Sequence, residues 1–70
     1  MIPLSYATPG EEFVIRRIGG NPEVRKHLEN LGFVAGGSVK VITALNGSVI
    51  VKVKEARVAI NDDMARKIMI

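Results

Sequence analysis

The sequence predicts a mainly β domain, a small and partly open barrel with one α-helix between its first two strands and a short helical turn before its last. Three observations point there. Runs rich in β-branched residues alternate with Gly-, Pro- and Asn-containing turns along most of the chain. One stretch, beginning at Pro22, repeats apolar residues at helical spacing. The chain has 70 residues, enough for one small core, so 1–70 reads as a single domain.

The elements follow in order. Thr8-Pro9-Gly10 is a turn. Glu12 to Ile18 is β-branched and reads as the first strand, ended by Gly19-Gly20. Asn21 can cap a helix, Pro22 fits its first turn, and Glu23 suits the positive end of its dipole. Val24, Leu28 and Leu31 then form one buried stripe, and Gly32 stands where a left-handed residue ends a helix. Residues 33–37 lead into sheet. Ser38 to Ala44 and Ser48 to Lys54 alternate as strands around Asn46-Gly47. Glu55-Ala56 reads as the next tight connection, and Arg57 to Ile60 as a short strand. Asn61-Asp62-Asp63 opens a helical turn through about Lys67, and Ile68 to Ile70 reads as the last strand. That strand is expected to pair with the first, because otherwise both would be bare edges.

The register of the central hairpin is also open to prediction. A two-residue loop would oppose Val41 to Lys52 and mix apolar with charged side chains. A three-residue loop, Leu45-Asn46-Gly47, opposes Ala44 to Ser48 instead. It joins Val39, Val41 and Thr43 to Val53, Val51 and Val49 on one face. We therefore expect the odd loop, with Gly47 left-handed in a bulge. Ile42 and Ile50 would then oppose each other on the outer face.

Composition narrows function. The absence of cysteine excludes disulfides and thiolate metal sites and suits a reducing cytosol. No basic segment followed by a long apolar run opens the chain, and no apolar stretch is long enough to span a bilayer. These features predict a soluble, cytoplasmic protein with no direct membrane insertion. The net charge is +3, with basic residues spread along the chain and only three aromatic side chains, Tyr6, Phe13 and Phe33. A nucleic-acid footprint usually shows tighter clustering and more stacking surface.

The stretch Arg25-x-x-Leu28-x-x-Leu31-Gly32-Phe33-x-Ala35-Gly36 resembles the pattern of the FeoA family, Arg-x-x-Leu-x-x-Leu-Gly-apolar-x-Pro-Gly followed by a β-hairpin. Downstream, Val49 to Val53, Arg57 to Ile60 and Ala65-x-x-Ile68 are similar too, and so upstream are Leu4, Gly10-Glu11 and Ile15-x-x-Ile18. The resemblance covers nearly the whole chain. Ala35 departs from it, standing where the family usually has Pro. The resemblance implies an SH3-like barrel, similar also to the C-terminal domain of iron-dependent repressors. It implies a role in ferrous iron transport as an accessory protein. The implied partner is the cytosolic GTP-binding domain of a ferrous iron transporter.

The residues themselves offer little catalysis. There is one histidine, no cysteine, no visible Ser-His-acid set, and no Gly-x-x-x-x-Gly-Lys-Ser/Thr loop for phosphate. No enzyme activity and no cofactor are expected. Glu23 and His27 lie four apart on the helix and are the best metal candidates. Two such ligands make a weak site, since ferrous iron usually takes at least three. Asp62 and Asp63 are better explained by helix-start capping. Ile42 and Ile50, rimmed by Lys40, Lys52 and Lys54, are the candidate partner-binding surface through protein–protein interaction, with an apolar centre and a charged edge. Coverage by the helix and self-association are alternative roles for that patch. The competing functional readings are a nucleic-acid or ribosome-binding basic barrel and a stand-alone regulatory module like the repressor domain.

Overall fold

A computed structural model describes residues 1–45 and 47–70. A 3-10 turn over Leu4–Tyr6 precedes strands β1 (Glu12–Val14) and β2 (Arg17–Ile18). Helix α1 (Pro22–Asn30) leads to β3 (Ser38–Leu45), β4 (Ser48–Val53) and β5 (Ala56–Asn61). Helix α2 (Asp62–Ala65) and strand β6 (Ile68–Met69) complete the chain. One antiparallel sheet runs β1-β3-β4-β5, and a second pairs β2 with β6. The two sheets do not close into a continuous cylinder.

The expected first strand is thus two strands, so α1 lies between the second and third. The division has a plain cause. The Ile15 amide donates to the Gly37 carbonyl at 2.8 Å, whereas the next amide, Arg16, donates to Met69 at 2.8 Å. The chain changes partner between adjacent residues. The last strand does return to this segment, pairing Arg17 with Met69 and Ile18 with Ile68. On its other side the N-terminus joins it, with reciprocal bonds between Ile2 and Ile70 at 3.1 and 2.9 Å.

Helix α1 forms as its sequence dictates. The Asn21 side-chain oxygen accepts from the Val24 amide at 2.9 Å, with Pro22 in the first turn. Leu28 is fully buried, and Val24 and Leu31 pack against the core. At the far end Gly32 has φ 108°. Its amide donates to Glu29, and the Phe33 amide donates to Leu28, both at 2.9 Å. This is a Schellman closure, with Phe33 and Leu28 supplying the accompanying apolar contact. Helix α2 repeats the capping device, Asn61 accepting from the Met64 amide at 2.8 Å.

The central hairpin departs from the expected register. Leu45 pairs with Ser48, so two residues separate the paired positions rather than three. Asn46, part of the expected loop, lies outside the described residues; Gly47 has φ 83°. Thr43 faces Ile50 and Ala44 faces Val49, whereas Val41 faces Val51 and Lys40 faces Lys52. A bulge at Ile42 makes the change. The short loop alone would have set Val41 against Lys52. One extra residue in β3 restores the valines to a common face, where Val39, Val41, Val49, Val51 and Val53 are all buried. The bulge therefore sits at Ile42 and not beside Gly47, and Thr43 does not share the valine face.

The β4–β5 connection is Lys54-Glu55, one residue earlier than expected, with Val53 paired to Ala56. Both turn residues have positive φ, 49° and 66°.

Candidate functional site

Directly opposed residues of neighbouring strands share a face. The pairings Glu12 with Lys40, Lys40 with Lys52, and Lys52 with Arg57 therefore set one row across all four strands of the larger sheet. It reads as one carboxylate followed by three cations. Val53 and Ala56 flank a two-residue turn and form a hydrogen-bonded pair. The next pair, Lys52 and Arg57, is then non-hydrogen-bonded, the closer kind, with Cα atoms about 4.5 Å apart. Like charges so placed destabilise a sheet. The ion pair recorded among the described residues is Arg66 with Asp62, at 2.8 Å; none joins Lys40, Lys52 or Arg57 to a carboxylate.

The row borders a cavity of about 500 Å³ lined by Gly10, Lys40, Ile42, Lys52, Glu55 and Arg57. A second concavity, of about 330 Å³, brings Lys54 and Glu12 to the same two lysines. Beside the charged row lies an uncharged one, Thr43–Ile50–Ala59. Ile50 and Ile42 are half-buried, yet neither packs against the core cluster. Farther out, Leu45 is 61% exposed.

The structure thus brings Lys40, Ile42, Lys52 and Lys54 around one pair of concavities, with Ile50 in the adjoining row. It does not oppose Ile42 to Ile50. Thr43 takes that place, because the bulge puts Ile42 out of register. Two residues of this surface escaped the sequence reading, Arg57 and Ala59. They come opposite Lys52 and Ile50 only through the two-residue turn at Lys54-Glu55, whose residues do not announce it.

Glu23 and His27 are both exposed on α1. Among the described residues no three His, Cys, Asp or Glu side chains converge as a metal site. A separate cleft of about 320 Å³ gathers Arg16, Arg17 and Arg25 around Gly19-Gly20, with Glu29 also on its wall. No helix among the described residues is long and apolar enough to cross a membrane.

Comparison with known proteins places the fold. A protein of Methanocaldococcus jannaschii named "Putative Fe(2+) transport protein A" is 36% identical over 70 residues, which is all of this chain and 85% of that one. A crystal structure of the iron uptake regulatory protein FeoA superposes with a TM-score of 0.89 at 26% identity, covering 96% of this chain and 91% of the other. A zinc-complexed FeoA of Stenotrophomonas maltophilia, described as an SH3 domain protein, superposes with a TM-score of 0.85 at 21% identity, covering 99% and 88%. A manganese-dependent transcriptional repressor shares the fold over 94% of this chain and 38% of its own, with a TM-score of 0.86 at 19% identity. The fold is SH3-like. Residues 2–70 match the FeoA domain, and the chain belongs to that family.

Proposed function

We propose that this chain is a non-enzymatic, cytoplasmic accessory protein of ferrous iron uptake. It acts by binding the cytosolic part of a GTP-binding ferrous iron transporter. The family and the name of the M. jannaschii relative support the link to iron. The surface reading rests on one observation. The outer face of β3, β4 and β5 carries Ile42 and Ile50 outside the core, next to Lys40, Lys52 and Lys54, which have no ion-pair partner among the described residues. An apolar centre with a cationic edge fits an acidic protein surface, and the charges would speed encounter at low salt. The chain brings no nucleophile–base pair and no phosphate loop of its own, so its contribution is binding.

The test is Ile50→Glu. The side chain lies outside the core, so the variant is expected to keep the wild-type NMR spectrum away from the patch. It is expected to lose binding to the isolated cytosolic domain by roughly tenfold or more, the scale of a buried apolar anchor. A folded variant that binds as well as wild type would remove this face from consideration.

A further inference from the structure

The charged row ends at an open edge. β5 is a terminal strand of its sheet. Because Val53 and Ala56 exchange the hydrogen bonds that close the turn, Ala56, Val58 and Ile60 point their backbone groups at β4. The amides and carbonyls of Arg57 and Ala59 then point away from the sheet, and neither residue has a recorded backbone bond on that side among the described residues. Both residues are exposed. Sheets usually guard such an edge with a proline, a bulge, a covering segment or a charged side chain. Of these β5 has only the charge, Arg57, and a small side chain, Ala59, leaves its middle uncovered.

The chemistry of the row says what would fit. Glu12 stands opposite Lys40 at one end, while at the other Lys52 and Arg57 face each other, with Glu55 lining the cavity beside them and no strand beyond Arg57. A strand laid against β5 would place one side chain directly opposite Arg57, on the face of the three cations. A carboxylate there would end the row as Glu12 begins it.

We infer that an extended, acidic segment of the partner adds alongside β5. It would bond the backbone of Arg57 and Ala59 and seat an Asp or Glu against Arg57, with Lys52 one strand further in. This rests on the reading that the outer face is the docking surface, and it adds the partner's conformation and charge. Main-chain bonds would supply register, and the cations would supply preference.

An acetylated, amidated Val-Glu-Val-Glu-Val-Glu-Val peptide serves as the probe, titrated into the full chain at low salt and followed by NMR. The expected result is saturable shifts at Arg57 and Ala59, with hydrogen exchange of those two amides slowed. The lysine counterpart peptide should give neither. Ala59→Pro removes an outward amide without touching the β4 ladder, a position where a strand edge tolerates proline. It should weaken the peptide roughly tenfold. Arg57→Gln keeps the edge and should weaken it similarly if Ala59→Pro perturbs the fold. Shifts at Lys40 and Lys52 with unchanged exchange at Arg57 and Ala59 would overturn strand addition. Shifts spread equally to Arg16, Arg17 and Arg25 would reduce the effect to general charge attraction and overturn the inference too. The transporter domain separates the two readings. If Ile50→Glu loses the domain while Ala59→Pro and Arg57→Gln bind it normally, the docking face stands and the edge does not.

Discussion

Gly32 shows how much one residue can hold. Its φ of 108° is a conformation that side-chain-bearing residues rarely adopt. The space around it is not the constraint, since an added Cβ would meet Val53 and Lys54 at 3.5 Å or more, an ordinary contact. Gly32→Ala should therefore cost about 1–2 kcal/mol, the price of the left-handed backbone alone. Urea denaturation would measure it. A loss near zero would mean that the closure of α1 can rearrange, and a loss well above that range would mean that Phe33 and Leu28 lose their packing as well.

At the scale of elements, the two hairpins meet their registers differently. The first reconciles a two-residue loop with a valine-lined face by a bulge at Ile42. The second has no bulge, and its strands leave two residues for a turn with positive φ at both. That geometry favours Asn-Gly, yet the chain has Lys54-Glu55. The double variant Lys54→Asn/Glu55→Gly should stabilise the fold by about 1 kcal/mol, part of the left-handed cost of two ordinary residues less the entropy of the new glycine. Thermal denaturation with unchanged β4–β5 amide shifts would establish it; equal or lower stability would show that the turn carries no strain. This turn adjoins the row of like charges. Two locally unfavourable choices at one surface are a pattern that functional sites often produce.

Across the whole molecule, charge stays out of the core, while a few large apolar side chains such as Val14 and Leu45 lie exposed. Among the described residues no polar or charged residue is buried, and the core runs from Leu4 to Ile70 through both sheets. No three acidic or histidine side chains converge among the described residues, with Glu23 and His27 exposed on α1 and Asp62 tied to Arg66. A tight ferrous site usually needs three or more converging ligands. Anaerobic calorimetry with ferrous iron should accordingly give no saturable isotherm at micromolar protein. A one-to-one isotherm lost in His27→Ala would show that α1 holds metal after all.

Local chemistry alone set both helices, because an Asn cap opens each, and at α1 an apolar stripe and a closing glycine act within a few residues. It also placed Val39, Val41, Val51 and Val53 on one buried face, since alternation is written residue by residue. It marked Lys40, Ile42, Ile50, Lys52 and Lys54 as a candidate surface. Other features depend on residues far apart in the chain. The handover of Ile15 and Arg16 between Gly37 and Met69 splits the first strand, and no local signal announces it. The β3 bulge reflects a contest between turn geometry and burial. Local pattern favours a longer loop there, whereas the fold keeps the short loop and places an extra residue at Ile42. The turn at Lys54-Glu55 was hidden because its residues are poor formers of the turn they make. Without that turn, the pairing of Lys52 with Arg57, and the open edge beyond it, could not be seen. Tertiary pairing decided these because register is a property of two strands at once.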